Sequence, residues 1–458
     1  MPSTTLSPAV LESYTPPQSP SPSSSLYLSR QSSHTATSTV DASKISFLPS
    51  SEPGLHPYDS PTLEIDDPAT LEALTNAADL LRQGKCVAFP TETVYGLGAD
   101  ATSTMGVNSI YAAKQRPLDN PLIVHVASLR QLRGILAPAD STTTTNGHAM
   151  NTGSGEIPEV YNALISKFWP GPLTILLSLP TDSPLSAAVT AGQPKFAARL
   201  PSHPIARALC HLSSLPLAAP SANASGNPSP TSASHVFTDL RNRIPLIIDG
   251  GPCSVGLEST VVDGLRDPPI VLRPGGISVE AIRELGGIWA KTITSRASLE
   301  DAADSSIIPE APGMKYKHYA PRAGVVLYEF GARAPCGKDL VRSAILSGKN
   351  FNGKVGILRT RTWKAGIGEL TLDCLKSESG DVKSEFYGNK GVGGLTVVEK
   401  GLGKGGEEIG RGLFAALREL DDVGVDVIHV EGIEEVLEGL AIMNRLRKAA
   451  SVVVRKFG

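Results

Sequence analysis

The sequence lacks the signatures of several common protein classes. Its 458 residues include only five cysteines and no CxxC pair, the five being Cys86, Cys210, Cys253, Cys336 and Cys374. This scattered, odd-numbered set excludes a disulfide framework and a cysteine zinc site, and it fits a reducing compartment. No apolar run approaches the roughly 18–20 residues that cross a bilayer. We therefore expect a soluble, cytoplasmic protein without a membrane partner.

Charge is also scarce. Charged residues make up 19% of the chain and the formal net charge is −3, so the sequence shows none of the bulk basicity typical of nucleic-acid-binding surfaces. The hydrophobic fraction of 41% is sufficient to form cores. The length favours two domains with room for a tail.

Familiar catalytic motifs are absent as well. The chain contains no P-loop, no GxSxG elbow, no HExxH motif and no kinase signature. Its nine histidines show no metal-ligand spacing, so we expect no metal held by protein side chains. Any catalysis would then act by positioning and by charge stabilisation on a nucleotide.

The first 63 residues differ from the rest in composition. They are dense in Ser, Thr and Pro and show almost no apolar periodicity. Such a segment cannot bury enough surface to offset its chain entropy, so a disordered tail is predicted for residues 1–63. A mitochondrial import peptide would be rich in arginine, but Arg30 is the only strong base before Lys44. A secondary mitochondrial pool is therefore the less favoured alternative.

The remainder of the chain is predicted to form two α/β domains. From residue 64 to 296, short apolar runs closed by Pro or Gly alternate with helical segments, which indicates an α/β or α+β sheet. Residues 297–322 are predicted to be a linker. Residues 323–458 predict a smaller, parallel, Rossmann-like sheet. Within it the Gly-rich region 388–410 favours a flexible loop, because no GxGxxG follows a strand there.

Three groups of polar residues are candidates for chemistry. The first lies in the peptide Pro90–Gly98, where Thr93 and its neighbours directly follow a buried strand and two glycines permit a tight turn. Such a loop can hold a small polar ligand. A turn that satisfies its own hydrogen bonds explains the same spacing equally well.

The second group is the basic stretch from Lys114 to His125. The dipole at a helix end favours one cation there, but it does not explain Lys114, Arg116 and Asn120 so close together in a Pro-braced loop. Polyphosphate binding requires such a combination of the forked N–H donors of an arginine and the point charge of a lysine. His125 stands on an apolar strand, and alone it would be read as a hydrogen-bonded core histidine.

The third group consists of polar residues at strand ends, where ligands collect in open sheets. Its members are Lys195, Arg199, Ser221, Asn223, Ser225, Ser229, Ser259, Thr260 and Arg273. Scattered turn chemistry and surface arginines are the alternative explanation. Four strand ends carrying such residues favour a common site instead.

Taken together, these motifs resemble those of the YrdC/Sua5 family of threonylcarbamoyl-AMP synthases. The resemblance covers roughly residues 65–458. It rests on PTETVYGLG (90–98), KQRPLDNPLIVHV (114–126), FWPGPLTILL (168–177), AARLPSHPIA (197–206), APSANASGNPSPT (219–231), GLESTVVD (256–263), LRPGGIS (272–278) and APGMKYKHYAP (311–321). The last stretch and the added second domain resemble the longer, Sua5 type.

The resemblance implies a fold and a set of site residues. The first domain is expected to be a YrdC-like twisted α/β sheet with a concave basic cleft, followed by a smaller Rossmann-like Sua5 domain. The implied catalytic residues are Lys114, Arg116, Ser221 and Asn223. The implied L-threonine contacts are Thr93, His125, Arg199, Ala219 (through its backbone) and Ser259. The implied ATP contacts are Arg116, Asn120, Lys195, Ser221, Ser229, Arg273 and Tyr319.

The resemblance also implies a reaction. L-threonine, bicarbonate and ATP, with Mg²⁺, would give threonylcarbamoyl-AMP and pyrophosphate. The tRNA threonylcarbamoyltransferase that makes t⁶A at position 37 of ANN-decoding tRNAs would receive the product, and direct contact with tRNA is left open. Since carbamates lose CO₂ readily in water, the peptide Pro312–Pro321, with Tyr316, His318 and Tyr319, is expected to cover the site.

Three other functions were weighed against this one. An RNA-binding module without adenylate chemistry would use the same basic cleft, but low basicity and few interleaved aromatics disfavour it. Carbamoyl transfer of the hydrogenase-maturation type is disfavoured because zinc-finger and acylphosphatase-like segments are absent from the sequence. A scaffold with a dead site is disfavoured because the charged motif residues are all retained.

Overall fold

The computed structural model describes residues 34–52, 55–137, 155–295, 318–346, 353–366 and 396–455. In chain order its strands are β1 (Ala36–Thr39), β2 (Ile45–Leu48), β3 (Thr62–Ile65), β4 (Val87–Phe89), β5 (Gly96–Asp100), β6 (Ile123–His125), β7 (Leu173–Ser178), β8 (Lys195–Arg199), β9 (Leu217–Ala218), β10 (Leu246–Asp249), β11 (Thr260–Asp263), β12 (Ile270–Arg273), β13 (Ile293–Thr294), β14 (Gly324–Tyr328), β15 (Lys354–Arg359), β16 (Thr396–Gly401), β17 (Val427–Glu431) and β18 (Val452–Val454).

The α-helices are α1 (Pro68–Arg82), α2 (Thr104–Lys114), α3 (Leu129–Leu136), α4 (Asn162–Phe168), α5 (Ala187–Thr190), α6 (Pro204–Ser213), α7 (Ala233–Leu240), α8 (Val279–Arg283), α9 (Gly337–Leu346), α10 (Gly406–Val423) and α11 (Glu438–Ala449). Helix α1 begins after a capping residue: the Asp67 carboxylate accepts a hydrogen bond from the Thr70 amide at 2.8 Å. Across the described ranges no helix is both long enough and apolar enough to span a membrane.

The first domain is built on a mixed sheet of eleven strands in the order β1-β10-β4-β5-β9-β6-β8-β7-β11-β12-β13. Alternate residues of its central strands face different cores: Val87 and Phe89 pack beneath α1 and α6, whereas Ala88 belongs to the larger core on the other side. Because both faces are covered, these strands are apolar throughout rather than alternating. The twisted α/β sheet expected from the sequence is confirmed.

Strand direction brings polar residues to one edge of this sheet. β6 and β8 run parallel, with His125 opposite Arg199. β7 is antiparallel to β8 and parallel to β11, and β12 is antiparallel to β11. The carboxyl ends of β6, β8 and β12 therefore meet the amino end of β11. His125, Arg199, Ser259 and Arg273 lie along that single edge.

The predicted disordered tail is wrong for the described residues 34–52 and 55–63, which include β1, β2 and the start of β3. β1 adds to the edge of the large sheet, in parallel with β10, with Thr37 opposite Ile247. β2 and β3 form an antiparallel pair beside α6, where the Arg207 guanidinium lies 3.9 Å from the Phe47 ring centroid. Pairing with an existing edge strand satisfies the backbone hydrogen-bonding groups of such a segment, even where its Ser/Thr-rich sequence shows no apolar periodicity. Composition alone was therefore misleading here. Residues 1–33 lie outside the described part.

Among its described residues, the second domain contains a five-stranded sheet, in the order β16-β15-β17-β14-β18. The pairs between these strands are all parallel, which confirms the Rossmann-like prediction. The flexible loop predicted for 388–410 is wrong from residue 396 onward, because Val397 pairs with Val355 in β16 and α10 starts at Gly406. Residues 388–395 of that region lie outside the described ranges.

The second domain packs against loops of the first domain. Val94 and Leu257 of the first domain belong to the same apolar core as Phe414 of α10 and Ile442 of α11. The contact is close, because a Cβ atom added at Gly256 (φ +79°) would lie 2.4 Å from the Arg411 Cα atom. Helices α10 and α11 therefore cover the loops that follow the first domain's strand ends.

A buried histidine lies inside the second domain. The His429 Nδ1 atom is 3.1 Å from the Tyr328 hydroxyl, and Nε2 is 2.8 Å from the Ser343 hydroxyl. Burial penalises the charged ring and lowers the pKa of His429 to about 4. The folded protein therefore holds this side chain neutral where an unfolded chain would protonate it.

This lowered pKa predicts acid sensitivity. Below an unfolded-state pKa of about 6.5 the unfolded chain binds the extra proton, so stability is lost as the pH falls from there towards 4. A His429→Gln variant should show a pH slope of the unfolding free energy that is smaller by up to about 1.4 kcal/mol per pH unit. Urea unfolding between about pH 5 and 6, compared with about pH 8, measures that slope. An unchanged slope would show that His429 does not titrate in this way.

Candidate functional site

The polar edge of the large sheet opens into a cleft that is lined by charged and polar side chains. The residues lining it come from strand ends, the end of α2 and loops of the first domain, and from the segment that precedes the second domain. They are Thr91, Thr93, Val94, Gly96, Lys114, Arg116, Ile123, His125, Arg199, Ala219, Pro220, Ser221, Asn223, Ser225, Gly226, Asn227, Glu258, Ser259, Arg273, His318 and Tyr319.

Most of the site residues predicted from the sequence meet in this cleft. Those lining it are Lys114, Arg116, Ser221, Asn223, Thr93, His125, Arg199, Ala219, Ser259, Arg273 and Tyr319. They come from chain segments up to about two hundred residues apart. Their convergence on one surface is the arrangement that the resemblance required.

Three predicted ATP contacts do not line the cleft. The Lys195 ammonium lies 2.6 Å from the Asp263 carboxylate, and the Ser229 hydroxyl donates to Glu258 at 2.6 Å. Asn120 is buried, and neither polar atom of its side-chain amide has a partner in the described part of the chain. Ser229 reaches the cleft only through Glu258.

One end of the cleft is organised around the guanidinium of Arg199. It donates to the Glu92 carboxylate at 2.6 Å, to the Thr93 hydroxyl at 3.0 Å and to the Gly171 carbonyl at 3.2 Å. Burial alone would raise the pKa of Glu92, but the Arg199 charge outweighs it and holds that pKa below its usual value. Three acceptors therefore fix the orientation of Arg199. Two of its five N–H groups have no acceptor within the described residues.

Glu92 was not predicted as a site residue. Two features of the sequence could have indicated Glu92. It lies in the motif at 90–98, and a buried arginine generally needs a carboxylate partner. Only the fold identifies that arginine as Arg199, because the two residues lie 107 positions apart in the chain.

His125 lies beside Arg199 on the neighbouring strand. Burial, reinforced by the Arg199 charge, lowers the pKa of His125 to about 3, so its imidazole is neutral at physiological pH. Its Nδ1 atom has no hydrogen-bond partner within the described ranges. A neutral ring facing the cleft can hydrogen-bond a ligand without adding charge. His125 is thus more than the hydrogen-bonded core histidine that its place on an apolar strand would indicate.

The other end of the cleft is cationic. The Lys114 ammonium donates to the Ser221 carbonyl and, at 2.5 Å, to the Asn223 carbonyl. Burial, with the Arg116 charge next to it, holds the pKa of Lys114 well below its usual value. The Ser221 hydroxyl donates to the Asn223 side-chain oxygen at 2.6 Å. These contacts tie the end of α2 to the loop after β9.

Two arginines complete this cationic end. Arg116 donates to the backbone carbonyls of Asn120 at 3.4 Å and Pro121 at 3.2 Å, and Arg273 donates to the Ser259 hydroxyl at 3.1 Å. Burial lowers the pKa of each arginine to about 10, so both stay charged. Glu258 is the one acid among the lining residues given above. The cleft is thus suited to an anionic ligand.

Tyr319 and His318 close part of the cleft. Tyr319 has a left-handed backbone (φ +65°), and its ring stacks on Phe414 at a centroid distance of 5.2 Å. The Ala320 amide donates to the Gly226 carbonyl at 2.9 Å. The rest of the predicted linker and cover up to residue 317, including Tyr316, lies outside the described residues.

The described ranges contain no group of three or more His, Cys, Asp or Glu side chains placed to hold a metal ion. Glu258, the acid that lines the cleft, is engaged by Ser229 and by Arg445.

Comparison with known proteins assigns both domains. A family model described as telomere recombination matches residues 79–275, and one described as threonylcarbamoyl-AMP synthase, C-terminal domain, matches residues 277–451. A Schizosaccharomyces pombe protein named threonylcarbamoyl-AMP synthase is 49% identical, over 92% of this chain and 98% of the relative. A Pyrococcus abyssi protein of the same name is 42% identical, over 83% of this chain and 94% of the relative.

A solved structure gives the same result. The crystal structure of P. abyssi Sua5 complexed with L-threonine is 40% identical and covers 84% of this chain and 96% of its own, with a TM-score of 0.64. The similarity therefore extends over both domains.

Proposed function

The chain belongs to the threonylcarbamoyl-AMP synthase family, and from this premise we propose that its cleft joins L-threonine, bicarbonate and ATP into threonylcarbamoyl-AMP and pyrophosphate. One observation carries the proposal. A single cleft has Lys114, Arg116 and Arg273 at one end and a fixed Arg199 with a neutral His125 at the other. Such a cleft can hold a polyphosphate against an amino acid.

The Arg199 end suits an amino acid. Two N–H groups of Arg199 remain after its three protein contacts, and they can hold a substrate carboxylate in bidentate fashion. Thr93, Ser259 and the neutral His125 line the same end and can hydrogen-bond the substrate's hydroxyl and amino groups. A relative of this chain was crystallised with L-threonine, which supports this assignment.

The reaction needs alignment and charge stabilisation rather than a protein nucleophile. The threonine nitrogen attacks the carbon of bicarbonate, water leaves, and a carbamate forms. A carbamate oxygen then attacks the α-phosphorus of ATP as the bond to pyrophosphate breaks in line. Lys114, Arg116 and Arg273 neutralise the phosphate charges during that step. Ser221 and Asn223, which Lys114 holds in place, contact the same region.

Further contacts to the nucleotide are proposed for Asn120, Ser229 and Lys195. The side-chain amide of Asn120 has no partner among the described residues, lies near Arg116 and can turn to the nucleotide. Ser229 acts through Glu258, and Lys195 reaches the nucleotide only by leaving Asp263. Mg²⁺ would enter with ATP and take phosphate oxygens and water as its ligands, because the acid at the cleft is already engaged.

Water exclusion protects the carbamate in this scheme. Tyr319 and His318 lie at the cleft, and they are proposed as the part of the cover that contacts the bound substrates. We place the reaction in the cytoplasm, with the product passing to a tRNA threonylcarbamoyltransferase for t⁶A synthesis at position 37.

The test is direct formation of the acyl-adenylate. The protein is incubated with ATP, Mg²⁺, labelled bicarbonate and single amino acids, and labelled adenylate is separated and identified by mass. We expect product with L-threonine only, and only when ATP and bicarbonate are both present. Label incorporation that is independent of threonine, or its complete absence, would overturn the proposed function.

A further inference from the structure

A side chain of the second domain is built into the wall of the cleft. Arg445, on α11, is 1% exposed, and its Nε atom lies 2.9 Å from the Glu258 carboxylate. Its Nη1 atom donates to the Pro274 carbonyl at 2.7 Å. Arg445 thereby contacts two separate loops of the first domain, one before β11 and one after β12.

The Arg445 contacts affect the charge state of Glu258. Its other oxygen accepts from the Ser229 hydroxyl at 2.6 Å. Burial alone would raise the pKa of Glu258, but the charges of Arg445 and Arg273 hold it down, to about 2. The carboxylate is therefore charged and lies between two arginines, of which Arg273 lines the cleft.

Backbone packing makes this arrangement rigid. A Cβ atom added at Gly275 would lie 2.3 Å from the Glu258 carbonyl oxygen, so the chain after Arg273 lies directly against the chain at Glu258. Arg445 holds the outer side of the same contact through Pro274. The guanidinium also lies 5.6 Å from the Tyr319 ring centroid, which links it to the residue that covers the cleft.

We propose that Arg445 is a positioning residue for ATP: it neutralises Glu258 and so keeps Arg273 directed at the nucleotide's phosphates. The second domain thereby sets the nucleotide affinity of a cleft whose other walls belong to the first domain. Without Arg445, two cations remain near the buried Glu258 carboxylate, Arg273 and Lys448. Burial lowers the pKa of Lys448 to about 7, so Arg273 is the fully charged neighbour. Arg273 is then drawn towards Glu258 and away from the phosphates. The inference rests on the proposed function in taking ATP as the ligand.

The test compares two arginines on one helix. Arg445→Met removes the contact to Glu258. Arg447→Met is the matched control, because Arg447 pairs at 2.9 Å with Glu329 inside the second domain. We expect Arg445→Met to raise KM for ATP about tenfold or more and to leave KM for threonine within about twofold. Arg447→Met should change neither constant.

Direct binding separates this inference from the proposed function. The affinity of each full-length variant for ATP, measured by calorimetric titration without threonine, should show the same loss in Arg445→Met. A wild-type protein that binds ATP but forms no product would overturn the proposed function and leave this comparison intact.

Unchanged ATP affinity in folded Arg445→Met would overturn the inference, as would equal increases of KM for both substrates. Should Arg445→Met fail to fold, Arg445→Gln carries the test. Glutamine keeps an N–H donor but carries no charge, so we expect KM for ATP alone to rise about tenfold, as in Arg445→Met. No rise in that variant would equally overturn the inference.

Discussion

Replacing Arg199 by alanine should lower kcat/KM for L-threonine by about 10²–10³-fold. The guanidinium is proposed to hold the substrate carboxylate, and it also keeps Glu92 and Thr93 in place through hydrogen bonds of 2.6 and 3.0 Å. Removing it deletes the substrate contact and leaves the Glu92 carboxylate buried without its cation. Steady-state product formation over a range of threonine concentrations measures the loss.

The structure supplies two comparisons for this result. Cys253→Ala should have nearly wild-type kinetics, because Cys253 is buried nearby but does not line the cleft. Arg199→Lys keeps the charge near Glu92 and should fold, yet it should still lose most threonine use because a lysine cannot form the bidentate contact. Equal effects of Arg199→Ala and Cys253→Ala would mean that the amino-acid end of the cleft is misassigned.

Replacing Lys114 by methionine should lower kcat by about 10²-fold. The ammonium donates to the carbonyls of Ser221 and Asn223, and it is proposed to neutralise charge on the phosphates. Methionine has a similar length but no donor, so two carbonyls lose their partner and the cleft loses one cation. Lys167→Met is the matched control, since Lys167 also stands near a helix end but is exposed and pairs with Glu284 on the surface.

The same lysine makes nucleotide binding depend on pH. In the free protein burial and Arg116 lower the pKa of Lys114, and bound phosphates should raise that pKa again. ATP binding therefore takes up a proton, and affinity falls as the pH rises through the lowered pKa of the free protein. Calorimetric titration in buffers of different ionisation enthalpy detects this uptake, which Lys114→Met should abolish. Uptake that persists in Lys114→Met would assign the proton to another group.

Local pattern was a good guide to individual elements. The α/β alternation of the first domain and the parallel second sheet follow from the short-range rules of apolar runs and alternation. It failed at β1 and β16. These short strands form because a partner strand offers an unpaired edge. Their own residues give little indication of a strand.

For the site, the candidate side chains could be identified from the chain alone, because the motifs containing Lys114, Arg116, Arg199 and Arg273 are recognisable without a fold. What each cation faces became known only from the three-dimensional arrangement. Arg199 pairs with Glu92, and Arg445 of the second domain pairs with Glu258. The charge state and direction of a buried group depend on its neighbours in space. Those neighbours lie more than a hundred residues away in the chain, beyond the reach of any local pattern.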